Sequence, residues 1–287
     1  NFGGFYRTEF YFHEARMNGA KIKAPCVNHS EHLTTIYDET IYIGFIHLKS
    51  LETKIAQLIP LEREKHGAYK SLDNFLRRIP NIGLEQLRIL IRLGSFRFTG
   101  KTKQQLLWES MLFLSKARAK PSTTVELFDT EPKEFPLPEL KRNVLEDAFD
   151  EIELLGFPLC NPFDLLATTD FGDATAKNLS EKKGAQVHLV GYIVTTKDAS
   201  TMKTKEHMAF GTFYDVHGEV FDTVHFPNSA RRFPFRGRGF YRLKGKVIED
   251  FGVYSIDVHG MDKLPMVSKR ADDAFAEVVT PTHTQVT

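Results

Sequence analysis

The sequence predicts an α+β chain in which several short helices precede a small five-stranded β-barrel. Three observations support this division. Apolar residues recur at helical spacing in the first half of the chain, for example at Leu72, Phe75, Leu76 and Ile79. From residue 187 to residue 264 apolar and polar residues alternate in short runs, which is typical of strands. Turn residues at 215–218 and 250–252 separate these runs, as in a small closed or half-closed barrel.

Length and composition limit the class of protein. The chain has 287 residues, a length that usually forms two or three domains. Hydrophobic residues make up 41% and charged residues 26%, and the formal net charge is only +1. Binding to a polyanion would therefore need a local concentration of positive charge. Cys26 and Cys160 lie far apart and indicate reduced thiols, and no signal peptide or membrane span is recognisable, so we expect a cytoplasmic protein.

Helical spacing predicts seven segments upstream of the barrel. They are residues 9–17, 51–59, 60–65, 72–78, 84–93, 101–120 and 144–155. Pro60 is expected to begin a separate helical piece. A short strand is expected around residues 33–37.

The turn between the fourth and fifth of these helices is a candidate contact with phosphate. It reads Ile-Pro-Asn-Ile-Gly, and two helices joined by such a turn are the pattern of a helix-hairpin-helix. Backbone N–H groups at the start of the second helix can meet a phosphate oxygen, and Gly83 allows close approach. The predicted contact residues are Arg77, Arg78, Pro80, Asn81, Gly83 and Arg88. An ordinary helical hairpin in a bundle is the alternative.

An acidic, proline-rich stretch follows Pro121 and predicts a linker, because it is a poor candidate for its own core. Within it, residues 124–128 read Thr-Val-Glu-Leu-Phe, a small apolar segment on an acidic strip. Such a peptide either tucks into a neighbouring domain or docks in a partner's groove.

The predicted barrel carries aromatic candidates for stacking on the bases of a single strand. They are Phe213, Phe221 and Tyr254. Alternation along residues 208–213 places different side chains on the two faces, but both sets contain a phenylalanine. A phenylalanine on a small barrel is more often part of the core, and that alternative stays open.

Basic residues are the stronger signal in the barrel. No acidic residue occurs between Asp222 and Glu249, whereas seven basic residues do. They are Arg231, Arg232, Arg236, Arg238, Arg242, Lys244 and Lys246. In a chain of nearly zero net charge, such a patch suits a phosphate backbone. A solvated loop whose charges maintain solubility is the alternative.

Catalytic templates are absent from the sequence. It contains no phosphate-binding glycine loop, nucleophile elbow, HExxH helix or cysteine-based zinc pattern. We therefore predict no catalytic residue and no metal site in this stretch.

Several segments, in the right order, resemble the C-terminal third of the bacterial DNA polymerase III alpha subunit, of the C-family replicative polymerases. YFHEARMNGAKIKAPCVNHS at 11–30 is similar to the end of the family's fingers region. SLDNFLRRI at 71–79 and LIRLGSF at 90–96 resemble its helix-hairpin-helix region. ELLGFPLCNPFDLL at 153–166 resembles its connector, and residues 191–227 resemble the opening of its OB-fold.

The resemblance implies five segments. Residues 1–43 would end the fingers, 44–120 would form a DNA-binding helix-hairpin-helix domain, and 121–185 would form an acidic linker with a clamp-binding segment and a connector helix. Residues 186–265 would form the OB-fold, followed by a flexible tail at 266–287. Clamp binding would use Thr124, Leu127 and Phe128.

The resemblance also implies a function. The parent would be a DNA-directed DNA polymerase whose partners are double- and single-stranded DNA, the sliding clamp and other replicase subunits. Its catalytic palm and Mg²⁺ would lie outside this sequence, which opens on Asn1, so this piece would be inactive alone. A stand-alone, non-enzymatic OB-fold adaptor for single-stranded DNA or RNA is the alternative.

Three departures from the family pattern qualify these expectations. The family's first hairpin carries Gly-x-Gly after a lysine, where this chain has Lys-Ser-Leu-Glu at 49–52, so the predicted DNA contact moves to 80–83. Thr124 replaces the usual glutamine of the clamp motif, which should weaken clamp affinity. The basic stretch 230–239 replaces a more acidic helix, which points to stronger strand binding or to a divergent, accessory branch.

Overall fold

The computed structural model describes residues 6–119, 145–202 and 204–267. The chain divides into two compact units, which are described separately. The helical unit is Gly19–Leu159, and the barrel unit combines Asn1–Asn18 with Cys160–Thr287. The first helix, α1 (Thr8–Met17), therefore groups with the barrel rather than with the residues that follow it in sequence.

The helical unit begins with a small three-stranded sheet. Its strands are β1 (Lys21–Lys23), β2 (Thr35–Tyr37) and β3 (Thr40–Tyr42), in the order β1-β3-β2. β3 pairs in parallel with β1 and antiparallel with β2. The predicted strand near residues 33–37 is thus confirmed as β2.

Five α-helices follow the small sheet among the described residues of this unit. They are α2 (Thr53–His66), α3 (Leu72–Arg78), α4 (Leu84–Arg92), α5 (Lys103–Ala119) and α6 (Glu146–Leu154). The predicted break at Pro60 is wrong, because α2 runs through this residue. Proline inside a helix costs about 3 kcal/mol. Burial of one face of α2, with Ile55, Ala56, Ile59 and Pro60 inside, offsets that cost.

Local signals in the sequence define the helical hairpin. Ser71 caps α3, because its Oγ accepts a hydrogen bond from the Asn74 N–H at 3.1 Å. α3 buries Leu72, Phe75 and Leu76. In α4, Leu87, Ile89, Leu90 and Ile91 are buried. The apolar periodicity that predicted these helices is therefore the periodicity of their core-facing sides.

A buried carboxylate ties α6 to its neighbours. Asp150 is almost fully buried, and its two oxygens accept hydrogen bonds from Arg92 Nε at 2.9 Å and Lys103 Nζ at 2.8 Å. A buried charge of this kind is tolerated only when it is paired and hydrogen-bonded. Asp150 thus joins α6 to α4 and α5.

Within the described residues, the barrel unit contains five strands and one α-helix besides α1. They are β4 (Gln186–Ser200), β5 (His207–Tyr214), β6 (Val220–His225), α7 (Pro227–Arg232), β7 (Phe240–Asp250) and β8 (Val253–Leu264). The barrel is closed in the order β4-β5-β6-β8-β7, with β7 pairing back to β4. Among the described strands of the barrel, only β6 and β8 pair in parallel. The predicted α+β class, with a helical hairpin region followed by a five-stranded OB-fold barrel, is confirmed.

Aromatic rings and glycines fill the barrel together. Phe213 and Phe221 stack with their ring centroids 5.4 Å apart inside the core. A Cβ on Gly191 would lie 2.7 Å from the Phe221 ring and 2.9 Å from Phe213. Glycine at this position is what allows the β4 backbone to lie against two large rings.

A buried histidine lies where β6 ends. The Thr223 hydroxyl donates a hydrogen bond to the Gly211 carbonyl oxygen at 3.1 Å, and His225 Nε2 lies 3.1 Å from the same hydroxyl oxygen. Because the hydroxyl proton is used, Nε2–H must donate to Thr223, which leaves Nδ1 as an acceptor. Nδ1 is buried and has no hydrogen-bond partner among the described residues. Burial lowers the pKa of His225 from 6.5 to about 4, so the ring is neutral.

Among the described residues, no helix combines the length and the apolar character that crossing a bilayer requires.

The buried His225 predicts a specific dependence of stability on pH. The unfolded chain binds a proton near pH 6.5 and the folded chain only near pH 4, so the contribution of His225 is full above pH 6.5 and falls as the pH falls. Between about pH 7.5 and pH 5 it should lower the free energy of unfolding by about 2 kcal/mol. Urea unfolding of the wild type and of His225→Phe at both pH values measures this change in the free energy of unfolding. Equal pH dependence in the two proteins would contradict the assignment.

Candidate nucleic-acid interface

The turn between α3 and α4 presents an uncapped helix start to solvent. Ile82 is buried, and its N–H donates to the Ile79 carbonyl oxygen at 3.2 Å, which fixes the turn. Pro80, Asn81 and Gly83 are exposed. Gly83 is the N-cap residue of α4, and no side chain caps the helix there. The first N–H groups of α4 therefore remain available to an external acceptor.

Gly83 is not required by its backbone conformation. Its φ of −77° and ψ of 159° are accessible to any residue, and a Cβ at this position would meet nothing within 4 Å. The glycine keeps open space in front of the helix start. That space is what close approach of a phosphate to the backbone needs.

The three predicted arginines of the hairpin differ in availability. Arg77 and Arg88 are at least partly exposed, and each forms a local ion pair, with Asp73 at 2.8 Å and Glu85 at 2.7 Å. Pairs of this exposed type are weak, so their arginines can exchange partners. Arg78 is held in the fold and only 14% of its side chain is exposed.

Arg78 links α3 to the end of α2. Its Nη1 donates to the Gly67 carbonyl oxygen at 3.0 Å, and its guanidinium lies 4.1 Å from the centre of the Tyr69 ring. Glu62 lies on its other side at 3.9 Å. The prediction that Arg78 contacts DNA is therefore corrected, because Nη1 and Nη2 donate to carbonyl oxygens of Gly67 and Glu62 and the Nε atom is buried.

The turn at residues 49–52 is closed to a ligand by Gln86. The amide of Gln86 accepts from the Glu52 N–H at 2.6 Å and donates to the Ser50 carbonyl oxygen at 2.9 Å. Ser50 has a φ of 64°, the left-handed conformation that glycine adopts at least cost. A side-chain amide thus occupies one donor and one acceptor of this turn.

The basic patch consists of the seven predicted arginines and lysines on α7, β7 and the segment between them. Arg231 and Arg232 end α7 and are exposed, and Arg236 follows on the segment 233–239. On β7, Arg242, Lys244 and Lys246 occupy alternate positions, so they share the outward face of the strand.

Hydrogen bonds from two side chains to the backbone hold the segment 233–239 in place. The Tyr241 hydroxyl accepts from the Arg236 N–H at 2.9 Å and donates to the Gly237 carbonyl oxygen at 2.5 Å. Lys263 Nζ donates to the Arg236 carbonyl oxygen at 2.7 Å. The side chain of Arg236 therefore extends from a backbone that is already held in place.

Three arginines of the basic patch form ion pairs with carboxylates of the same unit. Arg231 lies 3.8 Å from Glu206, Arg242 lies 3.5 Å from Asp170, and Arg238 lies 3.3 Å from Glu9 of α1. The Glu9 carboxylate is mostly buried, and burial raises its pKa while Arg238 and a hydrogen bond from Tyr192 oppose the shift. Arg238 therefore connects the patch to a carboxylate of α1.

Helix α1 holds its position on the barrel through His13. The Nε2–H of His13 donates to the Gly218 carbonyl oxygen at 2.7 Å, and the imidazole stacks on Tyr214 with ring centres 3.7 Å apart. Burial lowers the pKa of His13, so the neutral ring is favoured. These contacts place Glu9 beside Arg238.

Two of the three predicted stacking rings lie in the barrel core. Phe213 is 0% exposed and Phe221 is 3% exposed, so neither can stack on a base, and both predictions are wrong. The alternative, that these rings belong to the core, is confirmed. Tyr254 is partly buried and packs against the same core.

Sequence reasoning missed the aromatic rings that face outward. Phe210 is 38% exposed and Phe226 is 44% exposed. Both line an open groove of about 490 Å³ on the outer face of the barrel. Lys197, Thr212, Asp222 and Val224 also line this groove.

Strand register explains why Phe210 faces outward. Phe210 pairs with Lys197 of β4 and with Val224 of β6. Two residues along, Thr212 pairs with Asp222 and donates a hydrogen bond to it at 2.7 Å. Lys197 and Asp222 are charged and mark the solvent side of their strands. Combined with the register, they would have identified the outward set, but the register is a long-range property that one sequence does not display.

Comparisons with known proteins agree with a helical hairpin region that is followed by a closed barrel. Residues 19–106 match the family of the helix-hairpin-helix motif. Over most of its length the chain is similar to DNA polymerase III alpha subunits. It is 29% identical to that of Treponema pallidum over 240 residues, covering 77% of this chain and 20% of the relative. It is 26% identical to that of Borreliella burgdorferi over 282 residues, covering 92% and 24%.

A third relative, the DNA polymerase III alpha subunit of Aquifex aeolicus, is 28% identical over 218 residues, 75% of this chain and 18% of the relative. The predicted resemblance to this subunit is confirmed. The chain spans about a fifth of the length of these relatives. A solved structure, RecG bound to a three-way DNA junction, covers 77% of this chain at 12% identity, with a TM-score of 0.21 that establishes no shared fold.

Proposed function

We propose that this chain is the DNA-binding part of a bacterial DNA-directed DNA polymerase that acts in replication. The uncapped, sterically open start of α4 is the observation that carries the proposal, since it occurs in a chain similar to DNA polymerase III alpha subunits. The helical hairpin would hold duplex DNA, and the barrel would hold the single-stranded template.

Duplex binding would use backbone donors rather than base edges. The free N–H groups at the start of α4 would donate to a phosphate oxygen, and the positive end of the helix dipole favours an anion there. Arg77 and Arg88 would exchange their exposed carboxylates for neighbouring phosphates. Such contacts position the duplex without reading its sequence.

Single-strand binding would combine the basic patch with the outward rings. Arg231, Arg232, Arg236 and the lysines of β7 would neutralise phosphates and release counterions. Phe210 and Phe226 would offer ring faces for stacking, a contact that every base can make. Tyr254 stays a predicted stacking residue.

Nucleotidyl transfer and its Mg²⁺ would belong to parts of the parent that this chain does not span, and other replicase subunits would be further partners. This proposal places the chain in the cytoplasm, where bacterial DNA is copied. A longer native reading frame with aspartate-bearing palm motifs would support the polymerase over a stand-alone OB-fold adaptor. A frame without them would favour the adaptor.

Replacement of Gly83 by serine tests the hairpin. Serine is a favoured N-cap residue, so Gly83→Ser should keep or slightly raise the stability of the chain. Its hydroxyl would accept from the first N–H groups of α4 and occupy the space in front of them. We expect affinity for a short duplex to fall about fivefold to tenfold.

Fluorescence anisotropy with a labelled duplex measures this effect, and thermal unfolding of both proteins shows whether the fold is kept. Undiminished duplex affinity in a folded Gly83→Ser chain would remove the hairpin from the proposal.

Replacement of Arg231 and Arg232 by alanine tests the basic patch. The double variant should weaken single-strand binding and lower the slope of log K against log salt by up to about two. A matched control is Lys177→Ala with Lys183→Ala, which removes two exposed cations of the barrel unit that pair with Glu219 and Glu249 outside the patch. The same loss in both double variants would mean that total charge, not the patch, determines binding.

Clamp binding is proposed for Thr124, Leu127 and Phe128, which lie outside the described residues. Leu127→Ala with Phe128→Ala should abolish capture of the cognate sliding clamp in a pull-down, because the apolar plug is lost. Thr124→Gln should strengthen capture by restoring a polar anchor. Glu126→Ala serves as the control that keeps the plug. Retained capture by the double variant would place the contact elsewhere.

A further inference from the structure

A second cleft lies on the barrel unit, apart from the outer groove. Its volume is about 350 Å³, and it shares only Thr195 with that groove. β4 forms one wall at residues 193–196, and the segment 233–238 forms the other. Ala209 and His225, which pair across β5 and β6, are further lining residues. The volume is of the size that one small organic ligand occupies.

The wall formed by β4 has an open edge. Pairing between β4 and β7 ends at Tyr192, opposite Phe240, and the Ile193 N–H donates to the Gly239 carbonyl oxygen at 3.1 Å. The β4–β5 register then skips Val194. Among the described residues, β4 pairs beyond this point with β5 alone. An open edge presents N–H and C=O groups at fixed spacing, which is suited to the polar edge of a planar heterocycle.

His225 adds an acceptor to the same site. It lines the cleft, is 0% exposed, and its Nδ1 is the atom left without a partner. Leaving a buried acceptor unpaired is costly, and an N–H donor of a ligand would remove that cost. The Thr223 hydroxyl fixes the tautomer that makes Nδ1 the acceptor.

Charges and rings complete the cleft. Arg7 and Arg238 are its two arginines, and Phe233 and Phe235 supply rings, the latter with its centre 4.6 Å from that of His225. Asp198, the one carboxylate among the described residues that line the cleft, pairs with His207 at 2.9 Å. A ligand that fits this set has a flat, apolar face, a polar edge with an N–H donor, and an anionic group.

We propose that this cleft binds a single nucleotide, with the edge of its base against β4 and His225 and its phosphate at Arg7 and Arg238. The nucleotide is either a free nucleoside monophosphate or one unstacked nucleotide of a strand, since both present the same groups. The site shares Arg238 with the basic patch, and it is a different cleft from the outer groove that is proposed for strand binding.

The test titrates the ¹⁵N-labelled full chain with each of the four deoxynucleoside 5′-monophosphates and with inorganic phosphate. Nucleotides should shift the amide signals of residues 193–196 and 233–238, and phosphate alone should bind at least tenfold more weakly. Equal shifts and affinities for phosphate and nucleotides would reduce the site to an anion contact and overturn the proposal.

Two variants locate the binding. Thr196 is exposed and lines the cleft, so Thr196→Trp should fill the cleft and weaken nucleotide binding at least tenfold. The control is Thr212→Trp, which fills the outer groove instead and should leave nucleotide affinity unchanged. His225→Phe keeps a ring but removes the acceptor, and should weaken binding about fivefold to tenfold. Loss in Thr212→Trp, with none in Thr196→Trp or His225→Phe, would overturn the assignment.

Short single-stranded oligonucleotides distinguish the two sources. If Thr196→Trp weakens oligonucleotide binding as well, the natural ligand is a nucleotide of a strand. If only the monophosphates lose affinity, it is a free nucleotide. The monophosphate titration uses no strand, so its result does not depend on the outcome of the Arg231 and Arg232 experiment. A failed titration likewise leaves the role of Arg231 and Arg232 in strand binding unaffected.

Discussion

Closure of the barrel depends on β4, which pairs with one neighbouring strand along its first half and with another along its second half. The first half of β4 pairs with β7, up to Tyr192, and the second half pairs with β5 through to Ser200. The bulge at residues 193–195 lies where the strand changes partner. A bulge bends a strand and increases its twist, which this change of neighbour requires. The same point leaves an open edge on β4 beside the segment 233–239, so closure positions both the nucleotide cleft and the start of the basic patch.

The helical unit shows how the availability of backbone donors can differ between two similar turns. At residues 49–52 the amide of Gln86 binds one N–H and one carbonyl oxygen, and the left-handed residue is a serine. At residues 80–83 the helix start has neither a capping side chain nor a Cβ in front of it. The difference lies in which hydrogen bonds are already made within the chain rather than in the local helix-turn-helix shape. Spacing of apolar residues alone therefore cannot separate a phosphate contact from an ordinary hairpin.

The sequence was sufficient for what depends on local pattern. The spacing of Leu72, Phe75 and Leu76 identified α3, Ser71 identified its cap, and alternation with turn residues identified the barrel. What failed depends on distant partners. Phe213 and Phe210 lie on the same strand, and only pairing with β4 and β6 decides which of them faces solvent. Likewise, Arg78 looks like its neighbour Arg77 in sequence, but Tyr69 and Gly67 hold it only once α2 and α3 are packed.

The small net charge of the chain has a kinetic consequence when combined with the local patch. At a net charge of +1 the molecule exerts almost no long-range pull on a polyanion, whereas the basic stretch exerts one at short range. Attraction therefore begins only within about 10 Å of the surface at moderate salt. A polyanion that meets another face of the protein would experience no such attraction and would dissociate. The Tyr241 and Lys263 contacts hold the backbone around Arg236 in place, so strand binding as proposed would require little rearrangement of this segment, and encounters in one orientation would be favoured.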